Sequence, residues 1–195
     1  MNTSPIEQCQ AKGSSESSRA VLAALALAAF AVALFAVSAL AAGGNLVKNG
    51  SFEKDSNGDG LPNNWSDGSS GISPKRTCNQ AYVGNCSFKF VFSSNLYKNI
   101  YQEIAISGST GDTYKLTFWM KGKEITGAGV VFVNIFFLPD DGSGYSYPSD
   151  GTSPWTKYSL TADATGDFTS IRIDIFGNEN SGKAWFDSVK LVEVP

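Results

Sequence analysis

Two patterns of apolar residues divide the chain. From Ala20 to Ala42 every position except Ser38 is apolar and none is charged. As a helix rising about 1.5 Å per residue, this run spans about 34 Å, enough to cross a hydrocarbon core of about 30 Å. It closes on Ser38-Ala39-Leu40-Ala41-Ala42-Gly43, in which Ala39 and Ala41 form the small-x-small pattern of a signal-peptidase site. The pattern predicts export with cleavage after Ala41. The alternative is an uncleaved anchor, because the run is long for a signal peptide and the polar segment before it carries Glu7 and Glu16. In both cases Lys12 and Arg19 on the N-terminal side place the globular part outside the cytoplasm, secreted or anchored at the surface. The expected organisation is a leader or anchor over 1–42 and a globular module over 43–195.

Beyond Gly43 the apolar period becomes two, and clusters of Gly, Asn, Asp, Ser and Pro punctuate it. Strands are predicted over 46–53, 87–92, 99–106, 113–121, 129–138, 155–161, 169–176 and 184–192. No strand–helix alternation occurs, which excludes a parallel α/β sheet. About eight or nine short strands in one domain predict an all-β, two-sheet antiparallel sandwich, with a jelly roll the best fit. Alternation also assigns faces. Tyr114, Leu116, Phe118 and Met120 point inward, and Lys115, Thr117 and Trp119 outward. Ile100, Gln102, Ile104 and Ile106 oppose Tyr101 and Glu103; Val131, Val133, Ile135 and Phe137 oppose Phe132, Asn134 and Phe136. Ile171, Ile173 and Ile175 oppose Arg172 and Asp174, and Trp185, Asp187, Val189 and Leu191 share a face expected to point into the core.

Composition narrows the chemistry. With 42% hydrophobic and 12% aromatic residues the chain is not a disordered one. Its 15 Lys+Arg against 18 Asp+Glu leave a net charge of −3, which gives no footprint for nucleic acid. The absence of histidine removes His-based general bases, Ser-His and Cys-His pairs and most zinc or copper sites. Carboxylates and hard cations remain. Outside the leader, which holds Cys9, the cysteines are Cys78 and Cys86, flanking a Gly84-Asn85 turn. In an oxidising compartment they are expected to pair, and no further Cys or His stands by to make them a metal site.

Five segments then resemble, in order, the motifs of carbohydrate-binding modules of families four, nine and twenty-two. Asn45-Leu46-Val47-Lys48-Asn49-Gly50-Ser51-Phe52-Glu53 resembles their opening, and Asp59-Gly60-Leu61-Pro62-Asn63-Asn64-Trp65 their D-G-x-P-x-x-W loop. The run 111–119 ending in Phe118-Trp119 resembles a central strand, Trp155-Thr156-Lys157-Tyr158 a later one, and Ala184-Trp185-Phe186-Asp187-Ser188-Val189-Lys190-Leu191 the closing strand. The resemblance implies a galactose-binding-domain-like jelly roll. It also implies a structural calcium ion between the first and last strands, with Glu53 and Asp187 as its carboxylates. The alternative is that Asp187 pairs with a lysine or caps a turn. Asp55, Asn57 and Asp59 have the D-x-N-x-D-G spacing of a calcium loop, either adding to that site or forming a polar turn. An EF-hand is rejected, because Ser66 stands where Glu is needed.

Sugar rings offer apolar faces and hydroxyl rims, so their sites need aromatic platforms beside planar polar groups. The outward residues Trp119, Tyr101, Glu103, Phe132, Asn134 and Phe136 are the expected platform, with Trp119 beside the 129–138 strand and Tyr145 and Tyr147 closing one end. Trp65, Trp155 and Trp185 are assigned to packing. The expected function is non-catalytic, extracytoplasmic binding of a polysaccharide or glycan. A membrane is a partner only if the leader stays as an anchor. The alternative is a structural or adhesive surface domain without a sugar ligand. Hydrolysis would need two carboxylates facing across a cleft. Asp140 and Asp141 are adjacent and point apart, which leaves Glu103 with Asp174.

Overall fold

The computed structural model describes residues 43–69, 75–93, 97–127, 131–139, 142–146, 150–177 and 180–195, with backbone alone for 142–146 and 180. These residues lie within one compact unit, Ala42–Pro195. The leader therefore lies outside the described residues.

Ten strands form in chain order: β1 (Ser66–Asp67), β2 (Lys75–Thr77), β3 (Ser87–Phe92), β4 (Lys98–Ile104), β5 (Thr113–Gly127), β6 (Val131–Leu138), β7 (Gly142–Ser146), β8 (Gly151–Asp163), β9 (Ser170–Gly177) and β10 (Asn180–Val194). They pair antiparallel into two five-stranded sheets. The first has the order β1-β4-β9-β6-β7 and the second β2-β3-β10-β5-β8. This is the expected sandwich. From β3 to β6, and again from β7 to β10, each strand crosses to the opposite sheet. Neighbours in sequence are therefore seldom neighbours in space.

The inward residues fill the space between the sheets, as alternation predicts. Phe88 and Phe90 from β3, Leu116 and Phe118 from β5, Val133 and Ile135 from β6, and Ile171, Ile173 and Ile175 from β9 are fully buried. Phe90 meets Phe88 and Phe186 edge-on, with ring centroids 5.6 and 5.4 Å apart. Each such side chain removed from water contributes roughly 1.5–3 kcal/mol. Tyr114 is buried with them, against Phe137 and Phe168.

Two expectations need correction. The segment 46–53 is not a strand but a run of turns, with Asn49 and Phe52 at φ 52° and 56°. Side chains fasten it to β10: Asn45 Oδ1 accepts from Leu191 N at 3.0 Å, and Asn45 Nδ2 donates to Val189 O at 3.1 Å. The Asn49-Gly50 turn within an otherwise alternating stretch is the reason. The second correction concerns β10. Ala184 and Phe186 join the core, the register shifts between Asp187 and Lys190 around Ser188 at φ 53°, and Val189 and Leu191 join the core after it. Trp185 and Asp187 therefore lie on the outer face of the second sheet, because one bulge reverses the alternation midway along the strand.

Candidate functional site

The outer face of the first sheet brings together most of the expected platform. Ladder register aligns three rows across β4, β9 and β6. These are Asn99–Phe176–Phe132, Tyr101–Asp174–Asn134 and Glu103–Arg172–Phe136. At one end Phe132 stacks on Phe176 with centroids 4.7 Å apart, and Tyr97 lies 5.7 Å from Phe176. These half-buried or exposed rings form a continuous apolar platform. In the middle the Arg172 guanidinium donates to both oxygens of Asp174, at 2.8 and 2.7 Å. It lies 4.6 Å from the Tyr101 ring centroid and 5.8 Å from that of Phe136. The hydrogen bonds to Asp174 hold Arg172 above its ordinary pKa, against the opposing effect of burial. Burial, then the Asp174 charge, raises the Tyr97 phenol. Glu103 Oε1 accepts from Ser170 Oγ at 2.8 Å.

Among the described residues three buried side-chain polar atoms lack a partner: Asn99 Nδ2, Asn134 Oδ1 and Gln80 Oε1. Two of the three belong to this face and flank the Phe132–Phe176 stack. An unpaired buried polar atom costs about 1–3 kcal/mol, and native structures carry few without a reason. Here one donor and one acceptor stand beside an apolar platform. A hydroxyl group, which both donates and accepts, is the kind of partner such atoms lack.

Trp119 is not part of this face. It projects from β5 on the far side of the molecule, in the second sheet. There Tyr82 stacks on it at 3.7 Å with an interplanar angle of 16°, and Tyr82 also lies 6.1 Å from Trp155. The ring that looked most available is covered. Conversely, Phe176, Tyr97 and Asn99 belong to the platform and were not expected there. Alternation already turned Arg172 and Asp174 outward. What was missing was that β9 lies between β4 and β6. Tyr145 lies opposite Asn134 in the β6–β7 ladder by its backbone. Tyr147, Asp140 and Asp141 lie outside the described residues.

Among the expected calcium ligands, both carboxylate oxygens of Asp187, Asp55 and Asp59, Asn57 Oδ1 and one oxygen of Glu53 accept hydrogen bonds. Cys78 and Cys86 are joined, closing a loop over the outer face of the second sheet. Asp187 Oδ2 accepts from the Tyr82 and Val83 amides at 2.7 and 3.1 Å, and Oδ1 from Ser188 N and Oγ at 2.6 and 3.3 Å. Burial still outweighs these bonds and raises the Asp187 carboxyl above its ordinary value. Glu53 Oε1 accepts from the amides of Asn85 and Cys86 at 2.9 and 3.0 Å. Gly84 passes so near, at φ +75°, that a Cβ there would lie 2.3 Å from Glu53 Oε1. The backbone carbonyls of Phe52 and Glu53 accept from the Arg76 guanidinium, each at 2.7 Å. Asp55 accepts from the amides of Gly58 and Gly60, while Asp59 accepts from Leu61 N and from Asn57 Nδ2. Calcium takes six to eight oxygens directed at one point. Here N–H groups stand at those oxygens, and a guanidinium already supplies positive charge. Among the described residues no three acidic or thiol side chains cluster. In this arrangement the carboxylates cap turns.

No protein-family model matches the chain, and no curated protein matches it. Solved structures do. TmCBM61, solved with β-1,4-galactotriose, superposes with a TM-score of 0.57 at 16% identity, covering 77% of this chain and 99% of that one. The CBM22-1 xylan-binding domain of Paenibacillus barcinonensis Xyn10C gives 0.56 at 14% identity, covering 78% and 96%. The enzymatically active domain of bacteriophage CBA120 tailspike protein 4 gives 0.60 at 18% identity; the match covers 77% of this chain but 21% of that one. The fold is thus the two-sheet jelly roll found in carbohydrate-binding modules, as the order of motifs implies.

Proposed function

We propose that residues 43–195 form a non-catalytic carbohydrate-binding module that acts outside the cytoplasm, with the outer face of the first sheet as its site. The observation that carries this reading is the pair of orphaned polar atoms, Asn99 Nδ2 and Asn134 Oδ1, beside the Phe132–Phe176 platform. Tyr101 and Phe136, held by Arg172, extend the apolar surface. The proposed ligand class is a neutral β-linked polysaccharide; of the similar modules, TmCBM61 is described with β-1,4-galactotriose and CBM22-1 as xylan-binding. Binding rather than hydrolysis is supported by the state of the two carboxylates. Asp174 is buried and tied to Arg172, and Glu103 is tied to Ser170, so neither stands free opposite the other as an acid–base pair must. The Cys78–Cys86 disulfide suits an oxidising compartment.

The test is calorimetric titration of residues 43–195 with β-1,4-galacto- and xylo-oligosaccharides. Saturable binding is expected. Asn134→Ala is expected to weaken it about tenfold, equivalent to about 1.4 kcal/mol, with a melting temperature no lower than that of the wild type, because the unpaired buried oxygen is removed. No binding to any glycan, combined with self-association, would select the adhesive surface domain instead.

A further inference from the structure

The opposite face of the sandwich carries a different chemistry. Register across β2, β3, β10 and β5 sets Lys75, Lys89, Trp185 and Lys121 in one row. The next row sets Val91, Lys183 and Lys123 side by side. On the other flank Lys157 lies opposite Trp119 across β5 and β8. Six lysines of the chain's 15 Lys+Arg are thereby gathered on one sheet face.

Two pairs, Lys75–Lys89 and Lys183–Lys123, are direct cross-strand partners. Like charges directly opposite destabilise a sheet. Among the described residues none of the six forms an ion pair. The carboxylate nearest in register, Asp187, is buried and taken up by N–H and O–H donors. Glu124 stands at the rim. A chain with net charge −3 has thus gathered six lysines on one sheet face, beside the disulfide loop that covers its Trp119 and Asp187 end.

We infer that this second face binds a polyanionic polysaccharide, one whose sugars carry carboxylates. Lys121 and Lys123 lie about 7 Å apart along β5, Lys183 sits beside Lys123 on the adjacent β10, and Lys89 stands two strands, about 10 Å, from Lys121. Positive charges repeating at such short intervals match a chain with repeating anionic groups. Tyr82, 40% exposed and stacked on Trp119, is an open ring on this face, and the two tryptophans are not. Trp185 is 5% exposed with the Lys121 ammonium 5.9 Å from its centroid, and Trp119 lies under Tyr82. A single open ring offers no run of platforms for the successive bases of single-stranded nucleic acid. The inference does not depend on the first sheet's face.

The experiment is affinity electrophoresis of residues 43–195 in gels containing polygalacturonate, with fully methyl-esterified pectin as a control of the same backbone without charge. Parallel arms use phosphatidylglycerol vesicles and single-stranded DNA. Retardation by polygalacturonate but not the ester is expected, weakening as salt rises. The exposed triple variant Lys123→Glu/Lys157→Glu/Lys183→Glu is expected to lose at least tenfold in retardation. Its melting temperature and its binding to neutral glycans are expected to stay unchanged. Absence of retardation, equal retardation of the variant, or stronger binding to vesicles or DNA overturns the inference. None of those results bears on the neutral-glycan site.

Discussion

Asp187 is the residue on which the account of the scaffold turns. It is fully buried, yet what surrounds it is hydrogen-bond donors rather than cation ligands. Asp187→Asn would set an amide NH2 against those N–H groups. It is expected to destabilise the domain by about 1–3 kcal/mol, read from urea unfolding. A chelator is expected to leave the melting temperature of the wild type unchanged; a fall of several degrees would restore calcium to this place. The sequence told that Asp187 is costly to bury, but not whether a metal or a turn compensates it. That depended on a loop eight residues long folding back over it. Tyr114 gives a second residue-level test. Burial first, then Glu193 and Asp112, pushes its phenol from 10.0 up to about 12. The unfolded chain releases this proton first, so stability falls as pH rises from about 10 towards 12. Tyr114→Phe is expected to flatten that slope in alkaline unfolding curves.

At the scale of elements, alternation was legible wherever a strand is long and one-sided. Burial follows it throughout in β6 and for most of β3, β4 and β9, where Ser87, Asn99 and Asp174 are buried although they alternate with the core residues. The short strands β1 and β2, with two and three residues, carry too little period to be seen. The bulge in β10 reversed the faces of Trp185 and Asp187, and no residue type marks it apart from Ser188 at positive φ. The disulfide loop is the element whose removal has the clearest consequence. It presents Tyr82 to Trp119 and the 82–83 amides to Asp187. Cys78→Ser/Cys86→Ser is expected to lower stability by about 2.5 kcal/mol in the chain-entropy view. Trp fluorescence is expected to shift to the red as Trp119 is uncovered. An unshifted spectrum would mean that the loop keeps its place without the bond.

For the whole molecule, fold class was readable because sandwich and motif order agree from Asn45 to Leu191. Strand order was not, because successive strands alternate between sheets. That one gap split the expected site: Trp119 went to the far face, while β9 brought Arg172, Asp174 and Phe176 into the near one. Net charge concealed a similar division, with lysines on one face and an aromatic platform on the other. The central claim is that the first sheet's face, not Trp119, holds the glycan. The measurement that tests it most directly compares the affinity of Trp119→Ala with that of Phe132→Ala/Phe176→Ala for one β-1,4-linked oligosaccharide. The account predicts that Trp119→Ala binds like wild type while the double variant loses at least tenfold, both remaining folded. Loss in Trp119→Ala with the double variant unaffected would contradict it and move the site to the other sheet.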